Sequence, residues 1–312
     1  MKKYALVAAV IDLNFDSKLS APIKIQNDTY ISNNTTHFKR FIKPETYYVI
    51  GSLEGELLFK GGPVVYKECK VTSIEESHVE LVEFMRDIQA FFLSMWMIKD
   101  NSANIELAFA ISQSDSHVHS NSLSCCNTQQ NTTNSLVIYS TQELQSSADW
   151  CNAKLKGMNA AQEPKFTISQ KQINRLNVAA SFLQQARSSS DIGVKIANYC
   201  SYFEALMSTS SAELTHQLAE RAAFLLREKP EDRYEHFKLT KKAYAVRSKV
   251  VHGDVLSNNQ LQSIEDVSNH CDQVARELLI KALSDTNFFA ALEARDHSIL
   301  DKFLIEKVFG IN

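Results

Sequence analysis

The chain has 312 residues, of which 44% are hydrophobic and 22% charged, with only 8 Gly and 5 Pro. That composition excludes collagen-like, low-complexity and disordered classes over the whole length and leaves enough apolar material for two cores. Lys and Arg total 33 against 36 Asp and Glu, a net charge of −3, so no global field draws in nucleic acid or an anionic membrane, and any such partner must be held by a local patch.

Met1-Lys2-Lys3 followed by apolar Tyr4 to Ile11 imitates a signal peptide. Asp12 interrupts it, no small-residue cleavage site follows, and a first β-strand is expected instead. From Lys3 to about Glu76, short β-branched and aromatic runs such as Tyr47-Tyr48-Val49-Ile50 and Pro63-Val64-Val65-Tyr66, punctuated by Gly51, Gly55, Gly61 and Gly62, predict strands and turns. From His78 to Lys99 the period changes: Val82, Met85, Ile88, Phe92, Met95 and Trp96 recur at helical spacing, so a long, largely buried helix is expected to pack on the sheet. Met85, Phe91, Phe92, Met95 and Trp96 read as core. Its apolar stretch, Ile88 to Ile98, is about half of the ~20 residues that span a bilayer, so no membrane segment is expected.

Ile105–Ile111 and Leu136–Tyr139 read as two more strands, separated by a mobile loop over Ser114–Ser135, a run of Ser, Asn, Thr and Gln. After about Thr141 the pattern is helical throughout: Gln142–Lys156, Ser169–Arg187, Asp191–Met207, Ala212–Arg227, Glu231–Val251, Asn258–Leu283 and Ser298–Val308. Asp191 and Ser211 are expected N-caps and Gly253 a C-terminal stop. The polar stretch Gly157–Pro164 divides an α+β domain over 1–157 from an all-α helical bundle over 165–312. Six cysteines (Cys69, Cys125, Cys126, Cys151, Cys200, Cys271), thinly spread, read as reduced thiols in a cytoplasmic protein. His117, His119, Cys125 and Cys126 are zinc-binding types, but adjacent cysteines replace the usual Cys-x2-Cys, and no metal or cofactor is expected. Nucleophile elbows, phosphate-cradling glycine loops and His-Glu-x-x-His are absent from the sequence.

The densest basic run is Lys238 to Lys249, with Lys238, Lys241, Lys242, Arg247 and Lys249 and no acid; RNA, if bound, is expected there. At 100° per residue, Ala243, Tyr244, Val250 and Val251 lie within about 60° of Arg247, whereas the lysines and His252 fall on the opposite side. Arg247 therefore projects from the apolar face and needs an acid partner or a solvated cleft. On Asp191–Met207, Glu204 lies in line with Gly193, Ala197, Cys200 and Met207, so a Glu204–Arg247 pair between packed helices satisfies both charges. By itself such a pair also fits a purely structural role that fixes bundle register. Arg221 reads as a salt-bridging helix residue, or as a neighbour of Glu204.

Arg247-Ser248-Lys249-Val250-Val251-His252 is an Arg-x4-His motif. With Lys195-Ile196-Ala197-Asn198-Tyr199 and Tyr202-Phe203-Glu204-Ala205-Leu206, then Glu213-Leu214-Thr215-His216 and Ala219-Glu220-Arg221-Ala222-Ala223, it resembles the HEPN domain, in particular its ApeA-like subgroup, over about residues 165–285. The resemblance implies a metal-independent endoribonuclease, without cofactor, whose cleft forms where two HEPN domains dimerise, and a part in anti-phage or abortive-infection defence or as a toxin. It implies that His252 moves protons, that Arg247 stabilises charge on the phosphate, and that Glu204 orients Arg247. Lys241, Lys242, Lys249 and Ser248 would meet the RNA backbone, and the front domain would sense an infection-derived ligand or hold the nuclease idle. An ideal helix sets Arg247 and His252 about 140° apart, so they converge only if the helix unwinds near Gly253 or a facing subunit completes the site. Ser248 stands where many active members carry Asn, Asp or His, and it supports a second reading: a non-catalytic HEPN module that dimerises and binds nucleotide or RNA for another effector.

Overall fold

The computed structural model describes residues 1–115, 117–123, 126–155 and 175–311. The chain divides into two compact units, Met1–Asn127 with Asn134–Gln162, and Thr128–Thr133 with Glu163–Asn312. The fold is mixed α+β, an antiparallel sheet in the first part followed by helices. The expected linker Gly157–Pro164 lies outside the described residues, as does the start of the helix expected from Ser169.

The first unit is built on β1 (Lys2–Ala9), β3 (Ile23–Gln26), β4 (Thr29–Ser32), β5 (Val64–Val71), β6 (Ala108–Ser112) and β7 (Val118–Asn121), in the order β3-β4-β5-β1-β6-β7 with every pairing antiparallel. A separate parallel pair joins β2 (Leu13–Phe15) to β8 (Val137–Tyr139). Strand β1 is apolar on both faces because both are covered. Ala5 and Val7 pack with Phe38, Phe41, Ile50, Leu58, Tyr66 and Phe109. On the Tyr4–Leu6 side lies α3 (Ile74–Ile98), started by the Ser73 side chain, which accepts from Glu76 N; it buries Met85, Phe91, Phe92, Met95 and Trp96. Asp87, buried at mid-helix, accepts from the side chains of Gln26, Asn27 and Thr29. It thereby fixes the β3–β4 turn, where Asn27 and Asp28 are both left-handed with φ of 45° and 58°, the geometry that two-residue hairpins favour.

Two expectations for this unit need correction. Tyr47-Tyr48-Val49-Ile50 is helical, in α1 (Pro44–Ile50), and it is followed by a second short helix, α2 (Ser52–Phe59). Pro44 presets the first turn, and Gly55 lets α2 approach so closely that a Cβ there would stand 2.5 Å from the Tyr47 ring. Aromatic and β-branched content signalled a strand, and these two local features override it. The polar stretch Ser114–Ser135 is not one loop either: it contains β7, and its Thr128–Thr133 portion belongs to the second unit. After β8 come α4 (Thr141–Trp150), which opens on a Ser140–Glu143 capping box, and a π-helical turn, Cys151–Leu155.

The second unit contains α5 (Arg175–Arg187), α6 (Ile192–Met207), α7 (Leu214–Leu226), α8 (Pro230–His252), α9 (Asn258–Gln262), α10 (Ile264–Ser284), α11 (Thr286–Glu293) and α12 (His297–Val308). Asp191 caps α6 as expected. Ser211 does not cap α7; Glu213 stands there in the left-handed region, φ 47°, without a side-chain cap bond. The helix expected over Asn258–Leu283 breaks at Ser263 into α9 and α10, and α11 was not anticipated. Thr128 is bonded into this unit: its amide donates to the Arg187 carbonyl at 2.6 Å and its hydroxyl contacts the Ser189 carbonyl at 2.8 Å. Cys69, Cys126, Cys151, Cys200 and Cys271 are all unbridged; Cys125 lies outside the described residues. Among the described residues no helix is long and apolar enough to cross a membrane.

Candidate functional site

Helices α6 and α8 pack closely because α6 offers a glycine. A Cβ on Gly193 would meet Val250 Cγ2 at 2.8 Å, so the two backbones approach to a distance that alanine would obstruct. The apolar stripe of α6 buries Ala197, Cys200 and Met207, and Glu204 lies on the same stripe, half-buried. Facing it from α8, Arg247 Nη2 stands 3.4 Å from Glu204 Oε1. The ion pair expected from helical phase is therefore present between these two helices.

The pair is held by charge more than by hydrogen bonds. Glu204 Oε1 and Arg247 Nε are both buried atoms without a hydrogen-bond partner. Burial pushes the Glu204 carboxyl above its ordinary range, while the Arg247 guanidinium and then the Tyr244 hydroxyl pull it back. Tyr244, one turn before Arg247 on α8, is buried and donates to the Cys200 carbonyl at 3.1 Å. Its own pKa is raised well above normal, first by burial and then by the neighbouring Cys200 and Glu204. Sequence reasoning placed Tyr244 only on an apolar face. Its spacing of three from Arg247 is the signal that sets it beside the same carboxylate.

His252 is the last residue of α8 and exposed, and its side chain makes no hydrogen bond or ion pair among the described residues. Helix α8 runs regularly through it, and the left-handed turn at Gly253, φ 73°, comes after it. Unwinding before His252, one of the two ways to bring it to Arg247, does not occur. The two side chains stay about 140° apart and about 7 Å apart along the axis. Ser248 is exposed. Val251, expected on the apolar face, is 57% exposed, whereas its neighbour Val250 lies against Gly193 of α6.

The lysines divide. Lys249 pairs with Asp254 at 3.1 Å and Lys238 with Glu235 at 2.6 Å, so acids flanking the basic run neutralise its two ends. Lys241 and Lys242 are exposed and form no ion pair among the described residues. Lys241 lies over the Phe237 ring, 5.3 Å from its centroid, and lines an open depression of about 370 Å³ with Glu213, Leu214, Thr215 and His216. Arg221 is not a neighbour of Glu204 but a tie to the last helix. Its guanidinium donates to the Met207 carbonyl, to Thr209 Oγ1 and to Asp301 Oδ1, the last at 2.6 Å. Comparison with family models, with curated proteins and with solved structures returned no match to this chain.

Proposed function

We propose that the second unit is a metal-independent endoribonuclease of the ApeA-like HEPN kind, acting as a homodimer. The observation that carries this reading is the incompletely satisfied Glu204–Arg247 pair, which sits one and a half turns before an exposed histidine on a helix rich in lysine. A guanidinium oriented by one carboxylate keeps donors for the non-bridging oxygens of a phosphodiester, and its fork matches their geometry. In the reaction the RNA 2′-oxygen bonds to phosphorus as the bond from phosphorus to the 5′-oxygen breaks. One proton leaves the 2′-hydroxyl, one reaches the 5′-oxygen, and the products are a cyclic phosphate and a 5′-hydroxyl. Imidazole suits both proton transfers, and Arg247 suits the charge that builds on phosphorus-bound oxygen.

Within one chain Arg247 and His252 do not converge, so the reading requires a second copy to complete the cleft. Lys241, Lys242 and the depression beside His216 would guide the backbone towards it, with Lys249 after exchange of its Asp254 partner and with exposed Ser248 at the entrance. The first unit would then act as sensor or restraint for an infection-derived ligand, in a cytoplasmic defence or toxin protein. A second reading, a dimerising module that binds RNA or nucleotide without cutting it, is favoured by Ser248 and by the separation of Arg247 from His252. The deciding experiment incubates purified full-length protein with total RNA in chelator. New fragments ending in cyclic phosphate support the nuclease; intact RNA that co-migrates with the protein supports the binder and overturns the nuclease.

A further inference from the structure

The solvent face of α8 carries rings and lysines in alternation. At 100° per residue, Tyr234, Lys238, Lys241, Ala245, Ser248 and His252 all fall within about 40° of one line along the helix. Tyr234 is 62% exposed; Lys241, Ala245, Ser248 and His252 are exposed too, and Lys238 is half-buried. The stripe runs about 27 Å from Tyr234 to His252, so it ends at the histidine that the nuclease reading charges with proton transfer.

Aromatic groups cluster at the start of the stripe. Lys238 Nζ lies 4.6 Å from the centroid of the Tyr234 ring, and three residues on Lys241 Nζ lies 5.3 Å from that of Phe237. From α7, His216 stands edge-on to Phe237 with ring centroids 5.2 Å apart, and His216 and Lys241 together line the open depression of about 370 Å³. The acids near the stripe are Glu235, which pairs with Lys238, Asp254, which pairs with Lys249, and Glu213 on the rim of the depression. Lys241 and Lys242 keep their charge for a ligand, since they form no ion pair among the described residues. Lysines alone attract single and double strands alike. Exposed ring faces set beside them favour the single strand, whose unstacked bases offer π faces that a duplex keeps stacked inside.

We propose that this stripe is a binding track for single-stranded RNA, in which bases stack on Tyr234 and enter the depression between His216 and Lys241, while Lys241 and Lys242 meet the phosphates and lead the strand towards His252. The track rests on the reading of the second unit as a ribonuclease and adds the form of RNA that it takes.

The test is fluorescence anisotropy of full-length protein with one labelled 2′-O-methyl RNA, free and annealed to its complement. That backbone lacks the attacking hydroxyl, so binding is read without cleavage. The single strand is expected to bind at least about tenfold more tightly than the duplex, and Tyr234→Ala to weaken single-strand binding about tenfold with unchanged circular dichroism. Tyr234→Phe, which keeps the ring, should restore it. Lys241→Gln should weaken binding to every single-stranded sequence alike and lower its salt dependence by about one unit of slope. No binding of the single strand, a duplex bound as tightly, or an affinity unchanged in Tyr234→Ala would each overturn the track, whether or not the protein cuts ordinary RNA. Single-strand binding that depends on Tyr234, with no cyclic-phosphate ends from ordinary RNA, would uphold the track and overturn the nuclease alone.

Discussion

Arg247 is held by a carboxylate that does not saturate it. Replacing Glu204 by Gln removes the charge that orients the guanidinium and leaves a half-buried cation without its acid. The expected cost is about 1–3 kcal/mol of stability, read as a lowered melting temperature, together with loss of RNA cleavage. This pair was legible in the sequence because both residues sit on apolar stripes whose phase can be counted. The Arg221–Asp301 tie was not, because Asp301 lies eighty residues further on, in a helix whose pattern gives no hint of its neighbours. The same limit hid His236 and His270, which meet inside the second unit with ring centroids 4.6 Å apart. Burial pushes their pKa values down to about 4 for His236 and about 3 for His270, with Arg227 adding to both shifts and His236 adding to that of His270. The unfolded chain therefore binds more protons than the folded one between those values and the ordinary histidine pKa. Stability should be full above about pH 6.5 and fall as the pH drops from there towards 4. Neither ring nitrogen of His236 has a hydrogen-bond partner, so His236→Phe should keep the neutral-pH melting temperature and lessen its fall in acid.

At the scale of elements, close approach of backbones explains what propensity alone misreads. Gly55 and Pro44 turn an aromatic, β-branched run into α1 and α2, and the break between α9 and α10 falls at Ser263, which the periodic pattern ran through. The long helix α3 and the helix pair α6 and α8 were legible because their periods are sustained over many turns. Gly193 leaves room for the Val250 side chain of α8, which a Cβ there would meet at 2.8 Å, so Gly193→Val should force the two helices apart and cost about 1–3 kcal/mol. It should also weaken RNA cleavage by lengthening the Glu204–Arg247 contact, as comparison of melting curves and cleavage rates would reveal. In the first unit, Asp87→Ala strips three side-chain donors of their buried acceptor. Thermal unfolding should report a loss of about 1–3 kcal/mol or more.

For the whole molecule, the order of a sheet followed by helices was legible from the change in period near Thr141, but the path of the chain was not. Thr128–Thr133 belongs to the helical unit although it lies between strands of the first, and nothing in a run of Thr, Gln and Asn announces that. A fragment beginning at residue 163 lacks the Thr128 bonds to the carbonyls of Arg187 and Ser189. It should melt at a lower temperature than the corresponding transition of the full chain. The central claim, that Arg247 and His252 cut RNA together, is tested most directly by comparing cleavage by full-length wild type with Arg247→Ala and His252→Ala, each matched to it by circular dichroism and oligomeric state. The account expects cyclic-phosphate ends from the wild type and a loss of at least about a hundredfold in both variants. Undiminished cleavage in either variant would contradict it.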